Sequence, residues 1–438
     1  MLQKNYNRKW VLKMGKFNPG TLSIILILLY VPGIKASAQE VGEKDTTRIV
    51  MGSKADEYRS QSLTGDALSA LIDKDYPNSI PIPGTNIRFK IGGFIKTDFL
   101  FDLNYIGDRS EFVTGTIPVE GSPEAQMGGQ TTFHAKESRI SFDFRSRSKK
   151  GIPMRAFVDL DFFGSEDPYS YNLRLRNAAI TIGRLLIGQN WETVMDLNAL
   201  PTTIDFEVDD AIVFGRTVQI RWEQDAGKHF KWAVALENPA ASIDNPYNLE
   251  GQVLQYLPNT VARITWNHRI GHMQLAALGT QLRWVSDSLG TSTAPGIGFN
   301  YSGSLKFAEY DRFMWTVAYG KGWGRNVAGL GGAGSDAVLD EDGTLQTFPV
   351  LNITAGIEHY WLSNLATTLA FGWAELSSPD NRSPEAQELA ATYHINLRWS
   401  VIHNFILGIE YMGGKQRIAE GSEGFAQRIQ LAARLNFN

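Results

Sequence analysis

The chain has 438 residues, of which 43% are hydrophobic and 11% aromatic, and it contains no cysteine. This apolar content excludes an intrinsically disordered chain, and the lack of cysteine excludes disulfide frameworks, thiol nucleophiles and cysteine-based metal sites. The formal net charge is −4, but residues 1–38 carry six Lys or Arg and no acid, which leaves 36 basic and 46 acidic residues in the rest. Such an acidic chain is not expected to bind nucleic acid.

The first 38 residues have the pattern of a secretory signal peptide. A basic segment precedes an apolar run of ten residues at 22–31, and Ala36, Ser37 and Ala38 are the small residues that a signal peptidase requires. A membrane-spanning helix would need about 20 apolar residues. We therefore predict a signal peptide over residues 1–38, cleaved after Ala38.

Residues 39–86 are polar and end with Pro77, Pro81 and Pro83, so we predict a periplasmic leader there. From residue 87 to the end of the chain, apolar and polar residues alternate with a period of two, which is the pattern of strands with two different faces. Sixteen strands are predicted, near residues 87–103, 134–148, 152–163, 172–182, 184–190, 211–224, 229–237, 260–269, 272–285, 296–308, 311–321, 350–362, 364–376, 389–400, 404–413 and 424–437.

The connectors between these strands alternate between short and long. Those at 149–151 and 183–184 are tight, whereas those at 104–133, 191–210, 322–349 and 414–423 are long and rich in Gly, Ser, Pro, Asn and acids. Short periplasmic turns, long extracellular loops and an even strand number are typical of outer-membrane barrels. We therefore predict an all-β fold, a closed antiparallel transmembrane β-barrel of about 16 strands over residues 87–438, in the bacterial outer membrane.

A large soluble all-β protein would also show alternating strands, so the position of the tryptophans matters. They lie on the apolar phase, mostly near strand ends, as in the aromatic girdles that contact outer-membrane lipid. These residues are Trp222, Trp232, Trp266, Trp284, Trp315, Trp361, Trp373 and Trp399. The pattern favours the membrane barrel.

The polar phase of the strands then faces the lumen, and it carries eighteen basic and nine acidic residues. The basic ones are Arg88, Lys90, Lys96, Arg139, Arg145, Arg147, Arg155, Arg174, Arg176, Arg221, Lys231, Arg263, Arg283, Lys306, Arg312, Arg398, Arg428 and Arg434. A narrow pore walled by guanidinium groups favours anions, and arginine suits carboxylate or phosphate. The alternative is that these arginines lie at the periplasmic rim or pair with Asp143, Asp159 and Asp161 in the wall.

The connector 191–210 is the candidate constriction. It contains the sequence Pro201-Thr202-Thr203 and several acids, so it cannot be a lipid-facing strand. It either folds into the barrel, where Trp191, Glu192, Asp196, Asp205 and Glu207 would border the passage, or it is an ordinary surface loop.

The glycine-rich run 329–334 is predicted to be a mobile extracellular loop.

Several segments resemble the DcaP-like outer-membrane porins. They are IPGTNIRFKIGGFIKTDF (82–99), ESRISFDFRS (137–146), RAFVDLDFFG (155–164), LRLRNAAITIGRLLIGQNW (173–191) and PTTIDFE (201–207). The resemblance implies a homotrimeric, sixteen-stranded, anion-preferring porin for small di- or tricarboxylates. Within the matched strands it implies that Arg139, Arg145, Arg155, Arg174 and Arg176 line the passage.

No enzyme motif is present, since HExxH, Gly-x-Ser-x-Gly and Walker A sequences are all missing. We therefore expect no catalytic residue, no cofactor and no metal, and we predict a porin that passes small anions by passive diffusion past Arg88, Lys90, Arg221 and the five arginines above. One alternative is an uptake channel for neutral or oligosaccharide nutrients, which would need many aromatic residues on the lumen phase. A barrel hydrolase would need an outward-facing Ser/His pair.

Overall fold

The computed structural model describes Tyr76 and residues 79–437, apart from Glu166 and Ala333. The predicted signal peptide and all but the end of the predicted leader lie outside the described residues. The described part is built from sixteen long strands, several short strands and 3-10 turns. No helix in this part of the chain is long and apolar enough to cross a membrane.

The sixteen long strands form one closed sheet. They are β1 (Arg88–Asn104), β2 (two segments, Gly128–His134 and Arg139–Arg147), β3 (Pro153–Asp161), β4 (Arg174–Ile182), β5 (Leu185–Trp191), β6 (Arg216–Ala226), β7 (Phe230–Glu237), β8 (Asn259–His268), β9 (Gly271–Ser286), β10 (Gly290–Lys306), β11 (Arg312–Lys321), β12 (Pro349–Leu362), β13 (Leu365–Leu376), β14 (Gln387–Ile402), β15 (Phe405–Ile418) and β16 (Glu423–Phe437). Neighbours in sequence pair antiparallel, and β16 closes the barrel by pairing with β1 from Arg428↔Asp102 to Phe437↔Gly93. The predicted sixteen-stranded barrel is confirmed.

The first segment of β2, Gly128–His134, lies in a stretch that we predicted to be a connector. Its sequence GGQTTFH is polar and glycine-rich, so it shows no apolar alternation. It is nevertheless a strand because its backbone pairs with the upper part of β1, while Arg139–Arg147 pairs with the lower part. Pairing along the neighbour outweighs weak local preference here.

The residues that face the lumen and those that face outward are the ones predicted from the alternation, with one exception. On β13, for example, Ala366, Thr368 and Ala370 are buried, whereas Leu369 and Phe371 point outward and are about half exposed. The exception is at the upper end of β9, where Trp284 faces inward and is buried, and Arg283 therefore faces outward. Trp284 packs against Ala337 and Leu345 from another connector, so it belongs to the interior and not to the girdle.

The connectors confirm the sidedness of the barrel. Seven of them, at 148–152, 183–184, 227–229, 269–270, 307–311, 363–364 and 403–404, lie at the end that also holds Arg88 and Phe437. Short turns and chain ends mark the periplasmic side of such barrels. At the opposite end, 287–289 and 419–422 are tight turns because β10 and β15 run beyond their predicted limits, so the long connector predicted at 414–423 is wrong.

Three extracellular connectors fold back into the barrel. They are the first loop (105–127), the inward loop (192–215) and the sixth loop (322–348). Their apolar residues pack on small inward-facing residues of the wall: Trp323 and Leu330 lie with Ala276 and Ala318, and Phe112 lies with Ala426. The glycine-rich run 329–334 was predicted to be a mobile surface loop, but Gly329 donates a hydrogen bond to the Asp210 carbonyl in the interior.

Candidate functional site

The inward loop crosses the barrel interior between β5 and β6, and most of its side chains are buried. Its first part is bound by polar side chains of β9 and β10. The Asp196 carboxylate accepts hydrogen bonds from His272 Nε2 and Ser302 Oγ, both at 2.8 Å, and Asn300 Nδ2 donates to the Val194 carbonyl at 3.0 Å. This part of the loop is therefore held against the wall on the far side from β1.

The middle of the inward loop reaches across to β1, β14 and β15. Glu410 accepts hydrogen bonds from the backbone N–H groups of Ile204 at 2.7 Å and Asp205 at 3.1 Å. Lys96 Nζ donates to the Ile204 carbonyl at 2.7 Å, and Asn396 Nδ2 donates to the Thr202 carbonyl at 2.9 Å. Irregular backbone inside a barrel needs such partners, because buried peptide groups without hydrogen bonds are costly.

Two inward-facing glycines let the last part of the loop approach the wall closely. A Cβ on Gly372 of β13 would lie 2.2 Å from Asp209 Oδ1, and one on Gly356 of β12 would lie 2.7 Å from the Pro201 ring. Asp209 Oδ1 instead accepts a hydrogen bond from Thr354 Oγ1 at 2.9 Å. A larger side chain at either glycine would displace the loop.

The loop brings its own acids into the lumen, so counting strand residues alone overstates the basic excess there. Burial raises the pKa of Asp205 and of Asp209 to about 7 and that of Asp210 to about 6. Asp205 and Asp209 are therefore only partly ionised at neutral pH, whereas Asp210 is mostly ionised. Burial would also raise the pKa of Asp196, but the contact with His272 holds it below its usual value.

The five arginines matched to the family all lie beside wall carboxylates. Arg145 and Arg155 share Asp143, at 2.7 and 2.9 Å. Arg174 and Arg176 share Asp161, at 2.8 and 2.5 Å, and Arg139 lies 4.0 Å from Asp159. Arg139 and Arg176 are almost fully buried, whereas Arg145, Arg155 and Arg174 keep part of their surface exposed. Five guanidinium groups against three carboxylates leave a positive excess.

A pocket on the periplasmic side of the inward loop, here the vestibule pocket, gathers several basic residues from different strands. Its charged lining consists of Arg155, Arg221, Lys231, Arg263, Glu223, Glu192 and Asp196, beside apolar groups such as Phe157, Leu186 and Trp191. Lys231 and Arg263 were outside our principal candidates, although their inward phase could have indicated them. Both bind Glu223, Lys231 at 3.4 Å and Arg263 more closely.

Arg221 differs from the other basic residues of the vestibule pocket. It is 6% exposed, its guanidinium contacts the Trp191 carbonyl at 3.5 Å, and among the described residues no carboxylate lies within ion-pair distance of it, although Glu223 and Glu237 lie near it. It lies in one cross-strand row with Arg155, because Arg155 pairs with Thr181, Thr181 with Leu186, and Leu186 with Arg221. The two arginines are thus three strand spacings, about 14 Å, apart along the wall.

The candidate constriction residues do not form one group. Glu192 and Asp196 line the vestibule pocket, where Glu192 is bound by Asn326 at 2.8 Å and Arg325 at 3.4 Å. Trp191 forms part of the same lining, whereas Asp205 lies at the Glu410 end of the loop. The residues that hold the loop, Glu410 and Lys96 above all, were not among our principal candidates.

Replacing Glu410 with alanine is expected to loosen the inward loop, because two buried backbone N–H groups lose their acceptor, at a cost of about 1–3 kcal/mol each. Single-channel recordings should show larger and noisier currents than those of the wild type. The matched control is Glu309→Ala in an exposed periplasmic turn, which should leave currents unchanged. Quiet currents of wild-type size from Glu410→Ala would show that this residue does not hold the loop.

Comparison with known proteins places the chain in a family. Residues 61–437 match the family model described as DcaP outer membrane protein. The structure is similar to the outer membrane channel DcaP of Acinetobacter baumannii, with a TM-score of 0.74 and 19% identity over 82% of this chain and 100% of that chain.

Two porins of lower similarity share the fold. The anion-selective porin from Comamonas acidovorans has a TM-score of 0.55 and 8% identity over 80% of this chain and 100% of that chain. OmpT of Vibrio cholerae has a TM-score of 0.52 and 10% identity over 81% and 99%. No curated protein sequence matches the chain. Because the family model spans most of its length, this chain belongs to the DcaP family of outer-membrane channels.

Proposed function

We propose that this channel passes small anions, in particular di- and tricarboxylates, by passive diffusion, and that the vestibule pocket selects them. The observation that carries the proposal is the placement of Arg155 and Arg221, which line one pocket from positions about 14 Å apart along the wall. Long side chains can converge from such positions on two carboxylates of one solute. Guanidinium groups bind carboxylates by two parallel hydrogen bonds.

The charges around the pocket support the proposal. The pocket and the adjoining inner wall of β1 and β2 present seven basic residues, which are Arg88, Lys90, Arg145, Arg155, Arg221, Lys231 and Arg263. The acids that pair with them are Asp143, Glu223 and Asp225, and Glu237 lies near Arg221, so the basic residues remain in excess. Low-dielectric walls focus the resulting positive field and lower the energy of an anion in transit.

The inward loop gives this pocket its roof, so we propose that the segment with Trp191, Glu192 and Asp196 borders the narrowest passage. The two acids would repel anions if they were free. Their contacts with Arg325 and His272 compensate them, so they add little negative field at the pocket. Asp205 and Glu207 lie further along the loop and contribute through its folding.

The alternative of a channel for neutral or oligosaccharide nutrients receives less support. Such channels offer exposed aromatic faces on which sugar rings can stack. Here the Phe157 ring is covered by the Arg155 guanidinium at 4.5 Å and the Trp191 ring by that of Arg216 at 4.6 Å. A guanidinium therefore covers a face of each of these two rings, where a sugar slide would leave the rings open.

We also propose a homotrimer with outer-membrane lipid around it, in which the side of the barrel near β3–β5 faces partner subunits. β3 and β4 have nine residues each and β5 has seven, against sixteen and seventeen in β9 and β10. Spanning the bilayer takes about 9–11 residues. β5 is shorter than this length, and β3 and β4 only reach its lower limit, so this side of the barrel is better covered by protein than by lipid. Next to it, the outward-facing rings of Phe89, Phe142 and Phe144 stack together.

Arg221→Ala tests the anion site, because it removes the guanidinium that forms no ion pair with any described residue. A lost charge-assisted hydrogen bond of about 1.5–3 kcal/mol should raise the succinate concentration that half-blocks the current at least tenfold. Arg221→Lys should have a smaller effect. The control is Arg283→Ala, which removes the same side chain from the outward face. Equal block in Arg221→Ala and wild type would contradict the site.

Phe142→Ala combined with Phe144→Ala tests the proposed subunit contact. Removing two outward rings next to the short wall should shift the detergent-extracted protein from trimer toward monomer in native mass spectrometry. Phe371→Ala, on the outward face of β13, is the matched control and should leave the oligomeric state unchanged. A double variant that stays fully trimeric would place the contact elsewhere, and a monomeric wild type would refute the trimer.

A further inference from the structure

The chain before β1 continues along the barrel wall at the periplasmic mouth. β16 ends at Phe437, which pairs with Gly93, so β1 extends below it by several residues on that edge. Ile80 and Pro81 pair antiparallel with Phe89 and Arg88, on the edge of β1 opposite to β2. The segment thus fills part of the edge that β16 leaves free.

From this edge the described residues turn to the inner wall, where they contact two lumen arginines. Arg88 Nε donates to Ser79 Oγ at 2.6 Å, and Arg88 Nη2 donates to the Ser79 carbonyl at 2.9 Å. Ser79 Oγ donates in turn to the Tyr76 carbonyl at 2.5 Å. The Tyr76 ring lies over the Arg145 guanidinium, 3.9 Å from its Cζ, and Tyr76 is 7% exposed.

These contacts occupy the basic groups on one side of the vestibule. Arg88 and Arg145 pair across β1 and β2, and Arg145 shares Asp143 with Arg155 of the vestibule pocket. Asp143 accepts hydrogen bonds from Arg145 Nε and Nη2, and the Tyr76 ring covers one face of the guanidinium, so a solute would reach it only by the remaining edge. Burial and the nearby Asp143 raise the pKa of Tyr76, so the ring stays a neutral phenol.

We propose that Tyr76 and Ser79 form an internal strap at the periplasmic mouth, which competes with solute anions for Arg145 and Arg88. This proposal goes beyond the anion-porin function. It rests on that function only for the expected direction of the change in block by carboxylates. Conduction requires binding that is strong enough for entry and weak enough for release. By covering Arg145, the strap weakens the hold of the vestibule on an anion that is leaving the channel.

The test is Tyr76→Ala in the full-length channel. Exposing Arg145 should lower the succinate concentration for half-block from the periplasmic side by about two- to fivefold, the range of a cation–π contact of about 0.5–1 kcal/mol. The reversal potential in a KCl gradient should shift toward greater anion preference. Tyr76→Phe keeps the ring and should behave as wild type, and so should Tyr256→Ala, which removes an exposed tyrosine from the loop 238–258.

A double variant separates the strap from a general opening of the mouth. If Tyr76 acts through Arg145, Tyr76→Ala should change nothing further in an Arg145→Ala background. An unchanged Tyr76→Ala channel, or an equal effect in both backgrounds, would overturn the strap. A wild-type channel without anion preference would instead refute the proposed function. Even then, the strap would be supported if Tyr76→Ala shifted the reversal potential toward anion preference and this shift disappeared in the double variant.

Discussion

A buried peptide group needs a hydrogen-bond partner, and this constraint governs both the wall, which faces a bilayer core that offers none, and the packed interior of the barrel. It requires the closure between β1 and β16 and the antiparallel pairing of all sixteen strands. It also explains why inward-facing positions carry amides, hydroxyls and carboxylates. These groups replace water for the backbone of the inward loop, as Glu410 does for Ile204 and Asp205.

The same polar lining sets the electrostatics of the passage. In the wall between β2 and β4, each arginine has an aspartate partner, but two arginines can share one aspartate, as Arg174 and Arg176 share Asp161. On β6, Arg221 has no carboxylate within ion-pair distance among the described residues, although Glu223 and Glu237 lie near it. Near Tyr76 an aromatic ring covers Arg145. We infer that the strength of anion binding depends on which groups each arginine already contacts, and not on the number of arginines alone.

The strand pattern could be predicted from the sequence because alternation is local. The prediction failed where the alternation is weak, as in the glycine- and threonine-rich Gly128–His134. It also failed at Arg283 and Trp284, where the sequence does not show which of the two faces the lumen. The path of the inward loop could not be predicted, since it depends on contacts between residues far apart in the chain. Ile204 and its acceptor Glu410 are separated by 206 positions, and Ile204 and Lys96 by 108.

For the arginines, too, one part could be predicted from the sequence and another part could not. Their inward phase follows from the alternation, but their partners depend on strand register, which brings Asp143 between Arg145 and Arg155. The central claim is that the excess of cations over carboxylates at the vestibule makes the channel prefer anions. The most direct measurement is the reversal potential of the wild-type channel in a planar bilayer under a KCl gradient. We expect the sign that marks chloride as the more permeant ion, and the opposite sign would contradict the claim.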